Sequence, residues 1–480
     1  MTVYKSKQSR SNFQISPYSL DIFRTLKLNS LTIFNVFKQN GNILNKDFRK
    51  RENFVPLRPE MKKILTLTAA VLALGLLPAS GGNTETVKTG YSFMPLPMLA
   101  FDGAKGVLFG AMMNIYNFSD GSTYPNPRCS WYLDASAYTG GSQSYAASFD
   151  SGSILPKVRI NVAASWFRDK AMEFFGYNGS QSFYDTSLEK GFYYYGRGVL
   201  NFRTDFKGPI CRNLHWNAGY NFNYLTVNEY RSDKYTGDET LFGLYRKWGI
   251  LDGNTSGDMF SSALKAGLTY DSRDFEGVPG RGILANAYIY ASPKFLGSSD
   301  NYVKYNFSFQ QFVPIVPQRL TFVYHLDYQD FIGKAPWYVV PFFSPGGPKS
   351  DNSYIGGTRM VRGIRYNRAT GKGTGYFNAE LRWNFWNFTI WNQNIGLMVS
   401  GFCDGIHVFR QYDLTNATGY APELYSKYIN TSRRDRMHIS AGGSLKVIFN
   451  RNFIINAEIA RCTSRQDGTW AIYCNSGFYF

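Results

Sequence analysis

The residues able to do chemistry in this chain are few, and one of them stands out by its setting. Arg362 lies in the stretch Gly356-Gly357-Thr358-Arg359-Met360-Val361-Arg362-Gly363-Ile364, flanked by glycines. It sits in a connection, 332–372, that is far longer than compact domains normally leave without structure unless it is functional or disordered. A guanidinium presents a planar fork of donors that fits a carboxylate bidentately. Two acids downstream, Glu380 and Asp404, are candidates to receive it. This pattern suits a charge-held loop better than a reaction centre. The chain contains no GxSxG elbow, HExxH pair or Walker loop and only four histidines, so no catalytic residue, cofactor or metal site is expected and an enzyme is disfavoured. The five cysteines, Cys129, Cys211, Cys403, Cys462 and Cys474, form no CxxC or His/Cys cluster, and their odd number argues against a disulfide framework. Cys462 and Cys474 could meet across the last hairpin, but two free buried thiols are the favoured reading.

Aromatic residues make up 17% of the 480 positions and charged residues only 18%, an unusual balance for a water-soluble globule. The net charge of +18 would by itself suit a nucleic acid or an anionic surface. No RNP, zinc-finger or helix-turn-helix pattern makes that charge specific, so nucleic-acid binding is not expected.

Residues 61–82 read MKKILTLTAAVLALGLLPASGG. Lys62 and Lys63 precede the apolar run Ile64–Leu77, and Ala79, Ser80 and Gly81 offer small residues for cleavage. That order is the signature of a secretory signal peptide, too short for a comfortable span. Residues 1–60 precede it and read as sequence upstream of a true start at Met61, or as a basic extension. Residues 83–480 are then the barrel described next.

Beyond residue 82 the pattern has period two, the mark of half-buried strands. Val303, Tyr305, Phe307 and Phe309 alternate with Lys304, Asn306, Ser308 and Gln310. Leu320, Phe322, Tyr324, Leu326 and Tyr328 alternate with Thr321, His325, Asp327 and Gln329. Similar alternation runs through 438–449 and 453–459, where Lys446, Asn456 and Glu458 fall in the polar set. Strands apolar on one face and polar on the other, following a signal peptide, predict an all-β, 16-stranded antiparallel transmembrane β-barrel. The predicted strands lie near 93–102, 106–118, 129–139, 143–151, 157–168, 191–206, 212–229, 258–272, 281–293, 302–314, 318–331, 373–387, 394–408, 435–449, 452–463 and 470–480. The longest connections, 169–190, 230–257, 332–372 and 409–434, all follow odd-numbered strands, which places them outside the cell.

The parity also aims the acids. On strand 12, Phe377, Ala379, Leu381, Trp383 and Phe385 face lipid, so Tyr376, Asn378, Glu380, Arg382 and Asn384 face the lumen. On strand 13, Ser400, Phe402 and Asp404 face the lumen. A sixth external loop folded inward would bring Arg362 to Glu380 and Asp404. The plainer alternative is three separate charges in a wet lumen.

With these motifs in place, the chain resembles the BamA/TamA superfamily of outer-membrane barrels. Val361-Arg362-Gly363-Ile364 matches the superfamily's Val-Arg-Gly-Phe/Tyr motif, Glu380 its inward glutamate, and Phe402-Cys403-Asp404 part of its Phe-x-Asp-x-Gly pattern. The turn Asp271-Ser272-Arg273-Asp274 with Pro279 and Gly282, and the glycines Gly346, Gly347, Gly356 and Gly357, also fit. Two departures, Ile364 in place of the aromatic and Ile406 where glycine is expected, predict a loop docked less tightly. The resemblance covers about residues 93–480 and leaves no POTRA domains in this sequence. It implies a barrel of the bacterial outer membrane that aids insertion or export of a protein or lipid client, with a separate periplasmic accessory protein and outer-membrane lipid as partners. A passive pore or structural subunit of a larger complex is the competing reading. The resemblance also implies a lateral seam between the first and last strands, here marked by Pro95, Pro97, Phe478 and Phe480. The two prolines lack ladder donors, and because they share parity they lack them on the same edge.

Overall fold

The computed structural model describes residues 86–102, 105–232, 235–251, 258–343, 354–357, 360–414 and 426–477. The upstream and signal segments expected at 1–60 and 61–82, and Phe478 and Phe480 of the expected seam, lie outside the described residues.

Alternating side chains make each segment a strand with one wet and one apolar face, and short turns fold consecutive strands side by side. The result is a single antiparallel sheet in which the spatial order equals the sequence order. Its first half comprises β1 (Tyr91–Asp102), β2 (Gly106–Asn117), β3 (Cys129–Tyr138), β4 (Gln143–Leu155), β5 (Val158–Glu173), β6 (Tyr194–Cys211), β7 (Leu214–Glu229) and β8 (Asp258–Asp271). The second half comprises β9 (Gly282–Ser292), β10 (Tyr302–Val316), β11 (Leu320–Gly333), β12 (Gly373–Ile390), β13 (Gln393–Arg410), β14 (His438–Phe449), β15 (Phe453–Cys462) and β16 (Trp470–Ser476). All sixteen predicted strands are present. The largest boundary differences are at β5, predicted to stop near 168 but running to Glu173, and at β6, predicted to stop near 206 but running to Cys211. Bulges between Asp169 and Met172 and between Pro209 and Cys211 break the alternation there, which hid the ends of these strands from a period-two reading.

The tight turns have the backbone that hairpins need. Trp391 and Asn392, and likewise Asn450 and Arg451, all have positive φ, as a primed turn between twisted strands requires. These short turns mark the periplasmic end. Apolar residues on the outward face are exposed, among them Phe307, Leu326, Ile289 and Leu268, while the polar residues opposite, such as Asn306, Gln329 and Asn378, are buried. That is a lipid-facing exterior around a filled interior.

Both mouths are covered. On the external side the connections after β5, β7, β11 and β13 pack a continuous aromatic cluster that includes Tyr177, Tyr245, Trp248, Trp337 and Tyr412. A short helix, α1 (Leu241–Lys247), belongs to it. Thr240 Oγ1 caps α1 by accepting from the Gly243 N–H (3.1 Å), and Leu241, Phe242, Leu244 and Tyr245 are buried. On the periplasmic side the β8–β9 turn reaches away from its own strands. Its Glu276 pairs with Arg159 of β5 (2.7 Å), and its Val278 packs against Met398, Ile448 and Ile454 of β13, β14 and β15.

β1 and β16 stand at the two ends of the strand order, and among the described residues no ladder joins them. The two ends of the sheet nevertheless meet at the periplasmic rim. Asn394 Nδ2 donates to Thr86 O (2.7 Å) and to Tyr124 Oη (3.0 Å), and Asn452 Nδ2 donates to Pro125 O (2.7 Å).

Candidate functional site

The sixth external connection turns into the lumen and delivers Arg362 to a ring of inward acids. Gly363 makes this possible locally: its φ of +87° is in the left-handed region, which a side chain would strain. Arg362 Nε donates to Asp404 Oδ2 (2.8 Å) and Nη2 donates to Asp404 Oδ1 (2.9 Å), a bidentate pair. The Arg362 backbone N–H donates to the same carboxylate at 3.0 Å. Nη1 donates to Glu458 Oε1 (3.0 Å) and, at longer range, to Glu380 Oε2 (3.4 Å). The guanidinium lies flat over Phe402, 3.4 Å from the ring centroid, in cation–π geometry.

The structure therefore brings Val361, Arg362, Gly363, Glu380 and Asp404 together at one place. It also adds residues that the sequence reading left out. Glu458 on β15 is a third acid on the arginine. Glu380 is shared with a second cation, receiving Lys446 Nζ of β14 at 2.6 Å and Ser400 Oγ at 2.6 Å, while Arg382 Nε lies 3.4 Å away. Three cations thus interleave with three carboxylates, and none of the six side chains is more than 2% exposed. Lys446 and Glu458 both stood in the polar half of the β14 and β15 alternation. Their parity pointed inward, but nothing in the sequence said which depth in the lumen they reached.

Apolar packing completes the docking. Met360, Val361 and Ile364 join Ile355, Tyr376, Ile406 and Val408 in one buried cluster. The looser docking expected from Ile364 and Ile406 is not what the structure shows: both are at most 1% exposed. An aliphatic pair packs here without needing an aromatic ring or a glycine gap. The tip is also tied to the last two strands. Cys462 Sγ donates to Gly363 O (2.9 Å), and the Gly363 N–H donates to Tyr473 Oη of β16 (3.0 Å). All five cysteines are free; Cys462 is buried, but Cys474, expected to be buried too, is exposed. We predict that Tyr473→Phe, which leaves that N–H without its acceptor, costs about 1 kcal/mol. It should appear as a small drop in the temperature at which the barrel loses its compact, fast-migrating form on gels, and an unchanged temperature would show that the contact carries no weight.

The sequence pattern of the Omp85 superfamily domain matches residues 132–478. The chain belongs to the Omp85 superfamily. It is a barrel of the bacterial outer membrane, in a superfamily of insertion and translocation proteins rather than enzymes. Among solved structures it is similar to BamA from Haemophilus ducreyi lacking POTRA domains 1-3, at 15% identity and a TM-score of 0.46, covering 81% of this chain and 70% of that one. It is similar to CdiB from Escherichia coli at 11% identity and a TM-score of 0.48, covering 80% of this chain and 62% of that one. CdiB from Acinetobacter baumannii matches at 12% identity and a TM-score of 0.40, with the chain spanning 59% of its length. No functionally curated protein sequence matches the chain.

This Omp85 barrel carries a second charged cluster above the first, at the external rim. His438, the first residue of β14, is buried between two acids: Nε2 lies 3.0 Å from Asp435 Oδ1 and Nδ1 lies 2.8 Å from Asp467 Oδ1. Asp435 also accepts the backbone N–H groups of Ser180 (2.8 Å) and Val408 (2.9 Å). Asp467 faces Arg368 and Arg436, each at 3.4 Å. Arg368 in turn donates to the carbonyls of Gly179 (2.8 Å), Ser182 (3.0 Å) and Gln466 (2.8 Å). Four external connections, those after β5, β11, β13 and β15, are thereby clasped together. Burial works against charge on both acids, yet His438 and the donors around them prevail. The Asp435 carboxyl is held down at about 2 and that of Asp467 below the usual carboxylate range.

At the expected seam, Pro95 and Pro97 lie inside β1, opposite Met113 and Ala111 of β2, with no break in that ladder. Their shared parity aims both missing donors at one edge. Because the β2 side pairs without interruption, that edge is the free one. β16 pairs with β15 from Trp470 to Ser476.

Proposed function

We propose that this barrel helps a protein or lipid client into or across the outer membrane, working with a separate periplasmic partner, and that the client uses the seam between β1 and β16. The observation that carries this reading is the Arg362 lock. It fills the lumen with a docked loop and ties that loop, through Gly363 and Tyr473, to the strand that borders the seam. The two prolines add to it, since an edge short of donors closes weakly. The loop lock formed by Val361, Arg362, Gly363, Glu380 and Asp404 then acts as the device that sets the state of that edge. A passive pore is less well supported, because a lumen occupied by a docked loop and crossed below by the β8–β9 turn leaves an open channel no evident path.

Cysteine pairs joining positions 96–101 to 472–476 test the reading. Locking the seam in a protein that still inserts should lower client levels in the membrane and be reversed by reductant. Unchanged client levels with a verified cross-link would remove the seam from the function. Planar-bilayer recording separates the pore reading: the purified barrel should give no steady conductance, and a constant ohmic current would favour the pore.

A further inference from the structure

We propose that the outer surface of β8–β13 holds a site for one molecule of a phosphorylated, multi-acyl glycolipid of the outer leaflet. A groove of about 700 Å³ runs across the lipid-facing side of the barrel from Phe409 and Met437, at the external ends of β13 and β14, toward Leu268 and Tyr270 at the periplasmic end of β8. Here the relief is uneven for a definite reason. The outward positions of β9 and the external end of β12 are small, Ala285, Ala287 and Gly375, while Phe307, Leu326 and Phe377 stand up on either side of them. Phe377 itself lies across Gly405 on the neighbouring strand, which has no side chain to hold it off the surface. The lining is nearly all hydrocarbon and aromatic, suited to acyl chains lying along it.

The external end of this groove adjoins a second, smaller cavity of about 160 Å³ whose lining includes Lys372, Arg410, Tyr412 and Phe331. The two cavities share no lining residue, but Arg410 of the second directly follows Phe409 of the first. One acid lies beside the cations. Asp330 binds Arg410, but its carboxylate is already occupied, accepting Tyr305 Oη and Tyr328 Oη at 3.0 Å each and the Phe331 N–H. Lys372 makes no ion pair among the described residues and sits 5.0 Å from the Tyr412 ring centroid. The cavity lining thus carries two cations, Lys372 and Arg410, and no acid, with Asp330 behind Arg410 already engaged, at the external end of an apolar groove. That combination fits a ligand with phosphate above and several acyl chains below. A free phosphate would not need the groove, and a neutral lipid would not need the cations.

The test uses the full-length barrel in a zwitterionic detergent, with lipid retention followed by native mass spectrometry and affinity by titration. Bis-phosphorylated hexa-acyl lipid A should bind about tenfold more tightly than the same lipid with its phosphates removed, the size expected for one charge-assisted contact. Lys372→Gln should abolish that preference and Lys372→Arg should keep it, with the barrel's gel mobility unchanged in both. Equal affinity for the dephosphorylated lipid, or a preference that survives Lys372→Gln, would overturn the site. Phosphatidylglycerol binding as tightly as lipid A would overturn the choice of a glycolipid. Inorganic phosphate competing at the same concentration as lipid A would show that the groove takes no part.

Discussion

Arg362→Ala should lower barrel stability by about 3–5 kcal/mol, more than any other single change at this site. The arginine is 0% exposed and binds three carboxylates on three strands, so its removal leaves negative charge buried rather than returned to water. Asp404 loses all of its side-chain partners from the guanidinium, and Glu458 loses its bond to Nη1. Glu380 is the least affected because Lys446 still reaches it at 2.6 Å. Arg362→Lys should recover less than half of the loss, since an ammonium is a point charge and cannot span Asp404 and Glu458 with one rigid fork. The measurement is the temperature at which the heat-modifiable gel band shifts, compared among wild type, alanine and lysine variants. A shift in Arg362→Ala equivalent to less than about 1 kcal/mol would mean that water reaches the cluster and the charges are individually solvated.

The second large effect belongs to the external clasp. His438→Ala removes the group between Asp435 and Asp467, each 1% exposed, and leaves Asp467 facing Arg368 and Arg436, and Asp435 facing His407 and the backbone N–H groups of Ser180 and Val408. A buried carboxylate deprived of its nearest partner is costly, about 3–5 kcal/mol by the same reasoning. The cost should fall on the loops rather than the strands. Hydrogen exchange should accelerate around 179–182, 430–436 and 463–468 while β12 and β13 keep their protection. Acid should do the same to the wild-type protein. Because the Asp435 carboxyl is held near 2, below its unfolded value of about 3.9, its contribution is complete above that value and is lost as the pH falls through about 2. Loop protection should therefore be flat from neutral pH down to about 5 and should decline between about 4 and about 2. A decline centred well above 4 would assign the control to another group.

Much of this was legible from side-chain alternation. Period two located the strands and told that Glu380 and Asp404 point inward, because a residue's parity fixes its face whatever the barrel's shape. Depth was harder. Glu458 and Lys446 had the right parity, but their meeting with Arg362 and Glu380 depends on the stagger between strands, which no local pattern encodes. The motif departures misled in a different way. Ile364 and Ile406 looked like a weakened dock when judged one position at a time, yet they pack with each other's neighbours in one cluster, a pairwise property. The external aromatic cap was invisible for the same reason. Phe174, Tyr245, Trp337 and Tyr412 come from four connections with no periodicity, and only the folded sheet brings them within contact.

The hydrogen bond from Gly363 to Tyr473 means that the docked loop and the last strand share a free energy. Linkage makes that sharing reciprocal. Any partner or client that pulls β16 from its place must weaken the seating of the loop, and anything that unseats the loop must loosen β16 by an equal amount. A periplasmic protein gripping one side of the barrel would thus be felt on the other face of the membrane without passing anything through the lumen. On the β16 side that coupling would rest on one hydroxyl, that of Tyr473.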